Sequence, residues 1–174
     1  LYSSAASDVY KRQFGDLVAA GRLDNLSSVH ASLNAMLAAV DNGRESGDVL
    51  VLAAFNHEEI GSSTTEGAGG PLLERVLAKL VAEVPGMGDP LDVYAASSMI
   101  SADAAHAVHP NYANKHDPTH RPMMNRGPVL KVNANQRYAS NAETQAIWRR
   151  AADAAGVPVQ FFVCLLYTSD AADE

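Results

Sequence analysis

Apolar positions along this chain follow two different periods, and the switches between them lay out an alternation of helices and strands. Leu26, Val29, Leu33, Met36, Leu37 and Val40 recur at spacings of three and four, which predicts an amphipathic helix. Gly21-Arg22-Leu23-Asp24-Asn25 reads as the turn into it, with Asp24 or Asn25 able to cap its first turn, and Asp41-Asn42-Gly43 stops it. Val49 to Phe55 is a continuous apolar run with β-branched residues, the pattern of a strand buried on both faces. It ends abruptly at Asn56-His57-Glu58-Glu59, and small residues and glycines follow. Leu72, Leu73, Val76, Leu77, Leu80, Val81 and Val84 predict a second helix with Pro71 near its first position. Pro85, Gly86, Gly88 and Pro90 end it.

Asp92 to Ser98 reads as helix or as a helix-to-strand passage, and Ser98 to Ala102 as a short strand. His106 to Pro122 is rich in His, Asn and Pro and predicts an irregular loop. Pro128 to Val132 is a short strand. Ser140-Asn141-Ala142-Glu143 has the form of a capping box, opening a helix through Ile147, Trp148 and Ala151 that ends at Gly156. Val157 to Val163 is a last strand. Phe14 to Ala20 fits either element type. Strands alternating with helices across short connections imply an α/β fold with a largely parallel sheet.

The two ends change the composition. Ser3 to Gln13 reads SSAASDVYKRQ and Cys164 to Glu174 reads CLLYTSDAADE. One DNA sequence encodes the first segment, and its reverse complement, read one base in, encodes the second. That DNA resembles a transposase adapter from sequencing libraries. Residues 1–13 and 164–174 are therefore expected to be translated adapter, and 14–163 to be the native part, roughly one domain's worth of chain. Of the 13 Lys+Arg and 20 Asp+Glu, two and four fall in the tails, which moves the net charge from −7 to −5. Mild acidity without basic runs argues against nucleic acid or an anionic membrane as partner. No apolar run reaches the roughly 20 residues a membrane helix needs. The single cysteine, Cys164, lies in a tail, so the rest offers no disulfide and no thiol nucleophile, as expected of a cytoplasmic protein.

Acidic residues stand at element boundaries: Asp24 at a helix entrance, Glu58-Glu59 at one strand end, Asp103 at another. In a parallel sheet, strand ends of this kind converge on one edge. Neighbouring carboxylates repel unless a cation shares the site. Two divalent metals about 3.5–4 Å apart, bridged by a carboxylate, would supply that charge. The bland alternatives are a helix cap for Asp24, a solvated loop for Glu58 and Glu59, and a capping turn for Asp103. For the glutamate pair alone, the metal and solvated-loop readings are even. His106, His109, His116 and His120 are scattered by prolines rather than compactly spaced, so at most one of them is expected at the site. His57-Glu58-Glu59 lacks the second histidine of helical zinc proteases, and Gly67 to Gly70 lacks the spacing of a phosphate loop. Lys131, near a strand end, is either a surface lysine or an anion-binding cation.

Four blocks carry a resemblance. Gly21-Arg22-Leu23-Asp24-Asn25-Leu26, Phe55 to Ser62, Ser101-Ala102-Asp103 with Ala105 to Tyr112, and Gly127 to Asn133 with Gln136-Arg137-Tyr138-Ala139 resemble the aspartyl aminopeptidases, in family order. The resemblance implies part of a zinc-peptidase-type α/β/α sandwich with a mixed, largely parallel sheet. It implies a two-zinc aminopeptidase, with manganese or cobalt as substitutes, that removes amino-terminal Asp or Glu from peptides. On the family pattern Asp24 bridges the metals, Glu59 and Asp103 each hold one, and Glu58 is the general base. The resemblance makes His106 and Lys131 candidates for the substrate pocket, with Lys131 pairing an acidic side chain. Asn56 stands where the family often has Asp. Two histidine ligands and an inserted β-rich assembly domain are expected outside this chain. The complete protein is thus expected to be a homo-oligomeric enzyme and this chain alone inactive. The alternatives are a zinc exopeptidase of other specificity and a catalytically dead assembly subunit.

Overall fold

The computed structural model describes residues 20–43 and 47–163. Both tails, most of the Phe14–Ala20 segment and residues 44–46 lie outside the described residues. The chain forms two compact units that part between Ala104 and Ala105.

The first unit opens with α1, Leu23–Asp41. Its start departs from the expected cap. Arg22 stands at the N-cap in a left-handed conformation, φ 62°, with no side-chain cap bond, and Asp24 and Asn25 have non-helical backbone inside the first turn. The Asp24–Asn25 peptide is cis. The far end is as expected, with Asn42 at the C-cap and Gly43 at φ 60°. Along α1 the periodic residues Leu26, Leu33, Leu37 and Val40 are exposed, so the apolar stripe has no cover among the described residues.

Val49 to Phe55 does not form the buried strand that its pattern predicts. No ladder pairs it among the described residues, and Val49, Leu50 and Val51 stand close to half exposed, at 48%, 49% and 48%. Ser98 to Ala102 is likewise unpaired, with Met99 and Ile100 exposed at 77% and 72%. The physical reason is the same for both. β-branched and aromatic side chains suit extended backbone, but a strand exists only where a neighbour takes up its N–H and C=O groups. Two helices complete the unit, α2 at Leu72–Glu83 behind Pro71, and α3 at Pro90–Ala95. Asp89 caps α3 by accepting from the Leu91 amide at 2.8 Å, with Pro90 in the first turn. The two helices pack on each other, and Val81 of α2 is buried.

The second unit holds the sheet. β1, Val129–Val132, α4, Ala142–Ala154, and β2, Gln160–Val163, form a β–α–β unit whose strands run parallel, Val129 opposite Gln160 and Val132 opposite Val163. A parallel pair needs a crossover of about a dozen residues or more, and α4 supplies it. The capping box that opens α4 sits one residue later than expected. Asn141 Oδ1 accepts from the Thr144 amide and Thr144 Oγ1 from the Asn141 amide, each at 2.9 Å. The loop from His106 to Pro122 is irregular apart from a 3₁₀ turn at Pro110–Lys115. It is pinned where the Val108 amide donates to the Pro122 carbonyl at 2.8 Å, and Pro122 is fully buried. Gln160 then fastens the next segment. Its Oε1 accepts from the Met123 amide at 2.8 Å, and its Nε2 donates to the Met123 and Gly127 carbonyls at 3.0 Å each.

Candidate active site

Four acidic candidates lie in the first unit, on three separate segments: a helix entrance, a one-turn 3₁₀ helix and an irregular stretch at Asp103. Asp24 sits at the irregular entrance of α1. Asn25, beside it, reaches across the unit: its Nδ2 donates to the Ala102 carbonyl at 2.8 Å. One hydrogen bond therefore ties the Asp24 turn to Ser101-Ala102-Asp103, two segments far apart in sequence. From sequence, Asp24 or Asn25 is a candidate cap for this helix, and the cross-link to Ala102 is not visible there.

Glu58 and Glu59 occupy a one-turn 3₁₀ helix, Glu58–Ile60, flanked by left-handed backbone at His57, φ 65°, at Gly61, φ 89°, and at Ser62, φ 59°. A non-glycine residue adopts that conformation at a cost, and such residues concentrate at functional turns. The following loop folds back on the turn and holds it. The Ser62 amide donates to the His57 carbonyl at 2.9 Å, and the Gly69 amide to the Ser62 carbonyl at 3.0 Å. His57 Nδ1 and Thr64 Oγ1 are hydrogen-bonded at 2.7 Å. Asn56 binds Glu66 twice, amide to carbonyl at 3.2 Å and Nδ2 to Oε2 at 3.0 Å. The return is too tight for side chains at two glycines: a Cβ on Gly67 would stand 2.1 Å from the Ser62 carbonyl oxygen, and one on Gly70 2.0 Å from that of Thr64. Glu58 and Glu59 are both exposed, as are Asp24 and Asp103.

In the second unit, the histidines divide among local tasks. His109 caps the 3₁₀ turn by accepting from the Asn111 amide at 3.2 Å, and its ring lies 5.3 Å from that of Tyr112. His116 is buried and meets Phe162 edge-on at 5.8 Å. His120 pairs with Asp117 at 2.8 Å. That side-chain bond holds the Asp117 carboxyl below the usual carboxylate range, helped by the Thr119 and His120 amides and by the charge on His120, and opposed by desolvation. His106 is exposed at the head of this loop. Lys131 lies on β1, half-buried, with its ammonium 5.6 Å from the centre of the Tyr138 ring. Two residues on, Asn133 is buried and its Oδ1 accepts from the Asn135 amide.

Zinc accepts carboxylate oxygen beside imidazole and thiolate, so Asp24, Glu59 and Asp103 suit it in donor type. Near Asp24, Asn25 Oδ1 is a buried oxygen with no hydrogen-bond partner. Among the described residues, no group of three or more His, Cys, Asp or Glu is arranged to hold a metal ion. The fit is one of donor chemistry, not of a closed coordination set.

Helices with a small parallel sheet make this an α/β protein. Residues 11–166 match the family described as aminopeptidase I zinc metalloprotease (M18), and the chain belongs to that family. It is 52% identical over 149 residues to a probable M18 family aminopeptidase 2 of Azotobacter vinelandii, covering 85% of this chain and 33% of the relative. A protein of the same description from Streptomyces coelicolor is 46% identical over 149 residues, covering 85% and 34%. Among solved structures, a cryo-EM structure of the Ape4 and Nbr1 complex matches with a TM-score of 0.73 at 33% identity, covering 86% of this chain and 29% of that one. Yeast aminopeptidase 1 matches with a TM-score of 0.65 at 29% identity, covering 82% and 33%. The chain thus spans about a third of the length of the curated relatives it matches.

Proposed function

We propose that this chain is part of the catalytic domain of a zinc metallo-aminopeptidase that removes amino-terminal Asp or Glu from peptides. The observation that carries the site assignment is the Asn25–Ala102 hydrogen bond, which joins the Asp24 and Asp103 segments across the unit. In this reading Asp24, Glu59 and Asp103 hold metal and Glu58 is the general base. Zinc in such a site polarises a carbonyl and lowers the pKa of water. Glu58 takes a proton at its carboxylate and returns it to the leaving amine, a task for an acid that does not itself ligate metal. Adjacent glutamates on one 3₁₀ turn support two such separate roles, because consecutive side chains on a turn diverge. His106 and Lys131 serve substrate, Lys131 as the cation that selects an acidic side chain. The family's description as a zinc metalloprotease supports the metal. A dodecamer is reported for the similar yeast protein, which supports a homo-oligomeric complete protein here.

The test is cleavage of Asp-, Glu- and Leu-terminated peptides by the complete protein. Preference for the acidic substrates is expected. It should be lost in Lys131→Met, and Glu58→Gln should lower kcat by about 10²–10⁴-fold. Equal cleavage of Leu-terminated substrate would replace the acidic specificity with a general one. No cleavage of any of them would leave a non-catalytic member of the family.

A further inference from the structure

Asn56 closes the loop that carries Glu58 and Glu59, and it does so on one residue, Glu66. Its amide donates to the Glu66 carbonyl at 3.2 Å and its Nδ2 to Glu66 Oε2 at 3.0 Å. We propose that Asn56 and Glu66 are a positioning pair for the Glu58–Glu59 turn, specified jointly: one member must donate and the other accept. The chemistry is asymmetric. An Asn side chain offers two N–H donors, whereas an ionised Glu only accepts. An Asp at position 56 keeps the shape of Asn but sets carboxylate oxygen against carboxylate oxygen across that 3.0 Å gap, and like charges at such range repel.

Both side chains are exposed, so the repelled carboxylates turn apart into solvent and the side-chain half of the closure is lost. The main-chain bond fixes the two backbones, and the chain continues into Gly67, where even a Cβ would collide with the Ser62 carbonyl oxygen. The closure of His57 to Thr65, the stretch that holds the turn, thereby loses one of its two bonds at this point. Exchanging both members, Asn56→Asp with Glu66→Gln, reverses donor and acceptor and preserves the bond.

The link to catalysis rests on the roles proposed for Glu58 and Glu59, so two readouts are needed. The first is amide hydrogen exchange at residue 56 in the full 174-residue chain. Asn56→Asp should speed it by about threefold to tenfold, the range of one exposed hydrogen bond. The double variant should bring it back to within roughly twofold. The second is kinetics in the complete aminopeptidase carrying this stretch. There Asn56→Asp should lower kcat by a similar factor with KM held, and the double variant should restore it. A double variant no better than Asn56→Asp alone in both readouts overturns the pairing, as does an Asn56→Asp variant identical to the parent. A complete protein that cleaves nothing while the exchange pattern holds removes the enzyme reading and keeps the pair.

Discussion

Both units contain extended apolar stretches, but only one turns them into sheet. From Ala105 onward, β1 and β2 flank a single helix in sequence, so a strand and its partner fall within one short run and the ladder closes over four residues. Before Ala104, the wholly apolar Val49 to Phe55 and the shorter Ser98 to Ala102 have no ladder among the described residues. The side-chain pattern selects extended backbone in both places. What distinguishes them is whether the hydrogen-bonding neighbour is local. Capping follows the same division, since α4 opens on a reciprocal box and α1 opens on an uncapped left-handed arginine.

The largest expected effect tests the closed unit. Gly127 sits at φ 93° with a Cβ position 2.0 Å from the Pro158 carbonyl oxygen, so Gly127→Val should cost about 3 kcal/mol. The denaturant midpoint should fall and the β1–β2 amides should lose exchange protection; unchanged protection there would show that Gly127 and Pro158 are not in close contact in solution. Next comes the contrast in caps. Asn141→Ala should cost about 1 kcal/mol, whereas Arg22→Gly should gain about 0.5 kcal/mol by relieving left-handed strain; helix content by circular dichroism with thermal melts checks both signs. Smaller still, Leu37→Gln on the exposed stripe of α1 should change stability by less than about 0.5 kcal/mol in this chain. A larger loss would mean that the stripe is covered in solution.

The smallest effect is one of pH. The Asp117 carboxyl is held below its ordinary range chiefly by the His120 side chain. A carboxyl lowered in the folded state contributes stability above its unfolded pKa and loses it as pH falls through the lowered folded value. The contribution should therefore be intact at neutral pH and fade only below about pH 4. Asp117→Asn should remove that slight acid dependence, read as a flatter stability curve at the acid end.

Elements whose interactions are local were legible from residues alone. The periodicity of α1 and α2, the stop at Asn42-Gly43 and the β1–α4–β2 order all follow from neighbours a few positions apart. The box at the head of α4 shifted by one residue because Asn141 and Thr144 can serve each other reciprocally, which Ser140 and Glu143 only mimic in spacing. The non-local features were not legible. Nothing in Gly21 to Leu26 announces that Asn25 spends its amide on Ala102, and nothing in Glu66 announces Asn56, because both bonds depend on how the chain returns. The four acidic candidates were visible as boundary residues and as family blocks. Their grouping into a metal site depends on donors that the described residues do not bring together.

Gln160 has a consequence at the level of the gene. A third strand would spread its fastening over several residues, so that no single change could release it. Here three hydrogen bonds to Met123 and Gly127 rest on one carboxamide. A single base change converts a glutamine codon to glutamate, replacing both N–H donors with an oxygen that faces two carbonyls. The segment leading into β1 is therefore exposed to mutation at one codon.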